Sequence, residues 1–204
     1  MTYVSAREHD GATRYLHGAL AAGVVIQLLL SAAMTVPAGR GLGTQNWHRA
    51  AFELHAKVGL FVTAVCVCHW IWIFLPRAKP GYLHLFPWIN LEGRVALRQT
   101  FAMSASPHHR PLTLGPLIGT VHGLGFLAVT GSMVCGVINY LGYFLGAPVP
   151  RIVLHYAGMA HITFGYLIWV FVVGHAAMAV VHRASSWIPK RLLRIAASKS
   201  SGTA

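Results

Sequence analysis

Histidine is the residue type whose number and placement in this sequence point most directly to chemistry. The chain has 13 histidines among 204 residues. Ionisable side chains at membrane depth are costly and usually face a functional interior. One histidine in an apolar run is ordinarily a hydrogen-bonded packing residue, whereas a larger set predicts a site. Seven lie within long apolar runs or close one, namely His17, His55, His69, His122, His161, His175 and His182.

The spacing between these histidines is more informative than their number. His55 and His69 are 14 residues apart, and so are His161 and His175. In an α-helix, 14 residues rise about 21 Å and fall about 40° short of four full turns. Each pair therefore lies on nearly one face of its helix, at two depths of a bilayer.

Four apolar runs supply the helices that would position these histidines. A bilayer core needs about 20 apolar residues as α-helix. Hydrophobic residues make up 55% of the chain and charged residues 10%, against roughly a quarter charged in soluble domains. We therefore predict an all-α, four-helix transmembrane bundle in a single domain, with spans at about 15–36, 52–75, 113–138 and 159–181. The polar N-terminus is unlike a cleavable signal peptide, so we expect the first span to be retained.

Lysine and arginine near the span ends predict the orientation. Twelve of the 16 lie in the N-terminal tail, the connection 76–112 or the C-terminal tail, and four lie on the other side. By the positive-inside rule, both termini and the long connection lie on the cytoplasmic side of a bacterial inner membrane. The net charge of +12 thus indicates topology and not a nucleic-acid surface, because the charges flank the spans.

Histidines of different spans reach the same depth in this topology. His55 is level with His161, and we name this pair the outer layer; His17 and His69 are level with His175, and we name these the inner layer. Haem b with two axial histidines needs one neutral imidazole on each face of the iron, whereas zinc needs three or four ligands at one point. We predict two non-covalent haem b groups about 20 Å apart, which pass electrons across the bilayer.

The long connection and the third span carry further patterns. The stretch 83–103 mixes apolar residues with Arg94 and Arg98, which is typical of an amphipathic helix on the inner membrane face. An ordered loop with one short helix fits the same stretch equally well. The third span is rich in glycine, which indicates close helix packing, with clearance for a haem at Gly123 and Gly136 as an alternative.

These residues, taken in their order along the chain, resemble the bacterial cytochrome b561 family and the related cytochrome b subunits of hydrogenases and formate dehydrogenases. The resemblance covers about residues 12–190 and all four spans. It implies a dihaem membrane cytochrome in which His17 and His175 ligate the inner haem, and His55 and His161 the outer haem. The matching segments are Arg14-Tyr-Leu-His17, Leu54-His55-Ala-Lys-Val-Gly59, His122 with Gly136, His161, and Gly174-His175.

One position departs from the family pattern, and two others have open roles. The family often has an arginine where His69 stands, so His69 either meets a haem propionate or replaces His17 as the partner of His175; the resemblance favours His17. His122 would line the inner haem or a quinone pocket, or serve in packing. Arg14 lies near the predicted edge of the inner haem, where it could pair with a propionate, although positive-inside placement alone would explain it.

The resemblance also implies a role in electron transfer between a periplasmic donor and the quinone pool, with ubiquinone as a substrate. The chain would either anchor a catalytic partner subunit or work alone as a superoxide:quinone oxidoreductase. The sequence has no nucleophile triad, carboxylate pair or phosphate loop, so we assign no catalytic residue. A haem-free membrane transporter or assembly protein, using its histidines for protons or metal, is the alternative from another class.

Overall fold

The computed structural model describes residues 11–35, 45–75, 81–104 and 115–200, with 182–200 described as helical backbone. Within these ranges the chain is helical and contains no strand. A 3₁₀ turn, Pro87–Ile89, separates the third and fourth of its helices. The α-helices are α1 (Gly11–Thr35), α2 (Gln45–Phe74), α3 (Gly81–Leu85), α4 (Leu91–Ser104), α5 (Gly115–Tyr143) and α6 (Arg151–Ser200).

Four of these helices confirm the predicted all-α membrane bundle. They are long and apolar enough to cross a bilayer over Gly11–Met34, Trp47–Phe74, Gly115–Tyr143 and Arg151–Val181. Three of the helices start earlier than the apolar runs indicated, since α1 begins at Gly11, α2 at Gln45 and α6 at Arg151, whereas α5 is described from Gly115. An apolar run marks only the hydrocarbon layer, whereas helical hydrogen bonding continues into the polar interface. Hydrophobicity therefore predicted the number of spans better than their ends.

Most apolar side chains of the spans point away from the bundle. On α6, Ile162, Val170 and Val180 are each at least 60% exposed. Such a surface would be unstable in water, but it suits lipid tails, which are as apolar as these side chains. The membrane assignment thus follows from the packing as well as from the sequence.

The four spans pack as two antiparallel pairs, α1 with α2 and α5 with α6, and the two pairs touch less extensively, mainly through α2 and α5. Glycines of α5 admit large side chains of α6. A Cβ at Gly125 would lie 2.5 Å from the ring of Phe171, and one at Gly131 would lie 2.5 Å from that of Phe164. Helix packing therefore explains Gly125 and Gly131. We name the interface between the two helix pairs the seam, and the facing histidines lie there.

Trp70, near the end of α2, packs against the core of the bundle. The Trp70 ring stacks on Phe74 and Phe86 and touches Phe126. Its indole N–H donates to Thr130 Oγ1 on α5 at 3.0 Å. Trp70 therefore contacts both α5 and the long connection from α2, at the end of the bundle that contains the inner layer.

The long connection folds back onto the bundle at α5. The main-chain carbonyls of His84 and Leu85 lie against Gly119 and Gly123, where a Cβ would leave no room for them. Phe86 is 3% exposed and belongs to the core. Gly123 thus clears space for the connection, in place of the haem that the sequence offered as an alternative.

The predicted amphipathic helix over 83–103 is wrong in one respect, because it is interrupted between Phe86 and Asn90. Pro87 has no N–H and cannot continue the hydrogen bonding of α3. Asn90 then starts α4, since its Oδ1 accepts the N–H of Gly93 at 2.7 Å, as an N-cap residue does. The exposed face of α4 carries Leu91, Val95 and Phe101 beside Arg94 and Arg98, the mixture expected of an interfacial helix.

Gly123→Ala should destabilise the docking of the connection on α5. The methyl group would overlap the Leu85 carbonyl oxygen, which cannot yield unless α3 moves. Overpacking of this kind costs about 1–3 kcal/mol, so the midpoint temperature of unfolding in detergent, followed by circular dichroism, should fall. Gly18→Ala is the matched control, because a Cβ there meets no atom within 4 Å, and it should be neutral or stabilising by about 0.5–1 kcal/mol. Equal midpoints for both variants would contradict this packing.

Candidate functional site

The outer layer brings two imidazoles together across the seam. His55 on α2 and His161 on α6 have ring centroids 6.0 Å apart, with their planes perpendicular. Two imidazoles bound to one iron through bonds of about 2 Å, the length known for zinc–imidazole bonds, would have their centroids roughly 6 Å apart. The spacing of the pair therefore fits one iron between the two rings.

His161 is held in the tautomer that a metal requires. Its Nδ1 lies 2.8 Å from the carbonyl oxygen of Ser132 and 3.2 Å from the Ser132 hydroxyl. A carbonyl only accepts hydrogen bonds, so Nδ1 carries the proton and Nε2 keeps its lone pair. Gly136 provides the room for this ring, because a Cβ there would lie 3.1 Å from His161 Cε1. The predicted clearance at Gly136 is thus clearance for the histidine itself.

His55 is anchored through its main chain. The side-chain amide of Gln27 on α1 donates to the His55 carbonyl at 2.9 Å, and the backbone of Gln27 faces the His55 side chain. The Nδ1 atom of His55 is buried and has no hydrogen-bond partner within the described residues. His55 therefore has a fixed backbone and an unsatisfied ring nitrogen.

The inner layer contains four imidazoles, one more than the sequence assigned to it. His122 of α5 lies between His17 of α1 and His175 of α6, with ring centroids 6.3 Å from the first and 4.8 Å from the second. His69 is 6% exposed, packs against Phe126 at 5.0 Å and interacts electrostatically with His17. Of the three roles left open for His122, its position supports a place in the inner layer.

His122 has the same tautomer as His161. Its Nδ1 lies 2.8 Å from the Ile118 carbonyl, one turn earlier in α5, so the lone pair remains on Nε2. Its ring is too close to that of His175 for both to bind one iron between them, because such a pair has centroids roughly 6 Å apart. Phe171 stacks on the His175 ring at 5.6 Å and closes this side of the layer.

The remaining predicted residues lie at the edges of the site. Arg14 is exposed on α1, one turn before His17. The side chain of His182 lies outside the described residues. Within the described part of the chain, no group of three or more His, Cys, Asp or Glu side chains could hold a metal ion. The described histidines are therefore arranged as facing imidazoles and not as a metal cage.

Sequence reasoning missed three polar residues at the outer layer. Gln27 and Ser132 contact the two histidines directly. Asn139 follows Ser132 by two turns on α5, and its Oδ1 is buried without a partner in the described ranges, as is Nδ1 of His48 on α2. A single amide inside an apolar run, as in VVIQLLL and CGVINYL, was the available signal for Gln27 and Asn139.

A membrane bundle of four helices, with imidazoles facing one another across the seam between two helix pairs, defines a membrane protein of the b-type cytochrome class. The model of the prokaryotic cytochrome b561 family matches residues 8–188, and the chain belongs to that family. No curated protein and no solved structure matches the chain.

Membership of this family gives the protein its general role. It is a membrane b-type cytochrome of electron transfer, and the family binds haem b. The outer layer fits a haem b in three respects. These are the spacing of its two rings, the tautomer of His161, and the space that Gly136 leaves for the His161 ring. The haem-free alternative is not retained.

Gly136→Leu should weaken haem binding at the outer layer. The larger side chain would push the His161 ring away from the Ser132 carbonyl, its proton acceptor. Loss of such an outer contact typically costs 10-fold or more in metal affinity, so we expect a lower ratio of Soret to protein absorbance after purification. Ser132→Ala is the graded comparison, because it removes the hydroxyl at 3.2 Å and keeps the carbonyl, and its loss should be small. Haem content equal to that of the wild type in Gly136→Leu would exclude this role for Gly136.

Proposed function

We propose that the protein is a dihaem cytochrome that carries electrons across a bacterial inner membrane, with one haem b at each histidine layer. The observation that carries this proposal is the facing pair of His55 and His161 at 6.0 Å. A second level of histidines, which includes His69 and His175, lies 14 residues further along the same two helices. The family supports haem b and electron transfer. The haem count is our inference from the two layers.

His55 and His161 are the proposed ligands of the outer haem. Each belongs to a different helix pair, so ligation would join the two pairs across their seam. The protein contributes the neutral imidazoles, their orientation and a dry environment, while a bound haem supplies a one-electron redox centre. The Ser132 carbonyl supports this assignment, since it leaves Nε2 of His161 free to bind.

His17 and His175 are the proposed ligands of the inner haem. The resemblance to the family supports them, because Arg14-Tyr-Leu-His17 and Gly174-His175 are among the segments that carry it. His69 is the alternative to His17, as the sequence left open. The 6.3 Å spacing between the His17 and His122 rings makes His122 the alternative to His175, because the His122 and His175 rings are too close to bind one iron together. Arg14 would pair with a propionate at the edge.

Electrons would enter from the periplasm and leave to the quinone pool, with both termini in the cytoplasm. This orientation rests on the excess of lysine and arginine on the side of the termini and the long connection. Ubiquinone is the proposed acceptor. The donor is either a periplasmic partner or catalytic subunit, for which the chain would be the membrane anchor, or superoxide.

Haem counting tests the layer assignment. We expect about two haem b per purified chain by the pyridine haemochrome assay, one for each layer. His55→Ala and His161→Ala should each leave one haem with the same redox potential, because they empty the same layer. His155→Ala is the control, since His155 is exposed on the same helix, six residues before His161, and both haems should remain.

The inner layer is tested in the same assay. His17→Ala and His175→Ala should each remove the other haem, whereas His69→Ala and His122→Ala should retain both. Retention of both haems in His17→Ala, together with loss of one in His69→Ala, would transfer the role of His17 to His69. Retention of both in His175→Ala, together with loss of one in His122→Ala, would transfer the role of His175 to His122. Purified protein without haem, after expression with adequate haem supply, would reject the dihaem proposal.

The two candidate donors, a partner protein and superoxide, are distinguished by supplying superoxide and a ubiquinone analogue to the purified protein. Reduction of the quinone by the wild type, and its loss in His161→Ala, would establish the version that works alone. Haems that stay oxidised under superoxide, but are reduced when a membrane extract containing a native partner is added, would establish the subunit version.

A further inference from the structure

Gln27 is a half-buried polar residue between α1 and α2 at the outer layer. It lies in the apolar run VVIQLLL, and its Nε2 donates to the main-chain carbonyl of His55 at 2.9 Å. That carbonyl already faces the N–H four residues later in α2, as every helical carbonyl does. The Gln27 amide is therefore a second donor to the main chain of the proposed outer ligand.

Gly59 makes this contact sterically feasible. It follows His55 by one turn, and a Cβ at this position would lie 2.7 Å from Gln27 Nε2. That separation is shorter than real Cβ contacts, so a side chain at this position would displace the amide. Gly59 and Gln27 thus form a matched pair across the α1–α2 interface.

Two buried polar atoms at this contact remain without partners in the described residues. They are Oε1 of Gln27 and Nδ1 of His55. A histidine that binds a metal through Nε2 carries its proton on Nδ1 and needs an acceptor for it. At His161 the Ser132 carbonyl fills that role. At His55 the Gln27 main chain faces the ring, but its carbonyl is already engaged in the helix, and the acceptor without a partner is the Gln27 amide oxygen.

We propose that Gln27 is a positioning residue for His55: its amide nitrogen holds the His55 main chain, and its Oε1 accepts the Nδ1–H of the ring when His55 serves as an axial ligand. The inference rests on the proposed haem site and adds to it a residue that would act through His55. An accepted Nδ1–H makes an imidazole a stronger electron donor to the metal. Gln27 therefore lowers the reduction potential of the outer haem and leaves that of the inner haem unchanged.

A redox titration with low-temperature EPR of the purified dihaem protein tests this role. Gln27→Leu keeps the approximate volume and removes both hydrogen bonds, so the potential of the outer haem should rise and its EPR signal should shift. The outer haem is identified as the one that is absent from His55→Ala. Gly59→Ala should produce the same selective change through displacement of the amide, whereas Gly18→Ala, with no atom near its Cβ, should produce none. Gln27→Glu keeps an acceptor oxygen and should restore the lower potential.

The outcomes separate a positioning role from a structural one. A rise in potential confined to the outer haem, or the selective loss of that haem in Gln27→Leu, supports the proposal. An unchanged or lowered potential of the outer haem in Gln27→Leu, or equal changes at both haems in Gln27→Leu and Gly59→Ala, overturns it. Failure of the haem proposal itself is distinguishable, because the wild type would then lack two haems or His55→Ala would retain both.

Discussion

An imidazole inside a bilayer has no water with which to pair its two ring nitrogens, and the site depends on how the bundle meets this constraint. The backbone N–H and C=O groups form hydrogen bonds within each helix. A buried side-chain polar atom without a partner, in contrast, lowers the stability by about 1–3 kcal/mol. His161 and His122 place Nδ1 against carbonyls of α5. Each of these rings is then left with one lone pair on Nε2, which a metal can occupy.

The geometry of a single helix explains why part of the site could be predicted from the sequence. Rise and rotation per residue fix the depth and the face of His55 relative to His69, and of His161 relative to His175. The pairing of His55 with His161 followed once the topology was assigned. The position of His122 did not follow, because the rotation of α5 is set by its glycines against Phe164 and Phe171 on α6, and such contacts leave no periodic signal.

The long connection shows the same division between local and tertiary information. Pro87 is a local signal for the break between α3 and α4, and Arg94 with Arg98 predicted an exposed face that α4 does present. The docking of α3 on Gly119 and Gly123 is a contact of main-chain carbonyls. Carbonyls are present at every residue, so the sequence could indicate only that the glycines allow close approach and not what approaches them.

The two histidine layers differ in a way that bears on electron transfer. At the outer layer two rings stand at iron-binding distance. Ser132 contacts the ring of His161, and Gln27 contacts the main chain of His55. At the inner layer four rings share one region, so a haem there would have further imidazoles beside its two ligands. The outer layer is thus preorganised for one pair of ligands. The inner layer would combine two ligands with further polar side chains, at the end of the bundle that the long connection covers. A haem potential depends on its ligands' contacts and on nearby polar groups, so two haems bound by identical residue types would still differ in potential, as directional transfer requires.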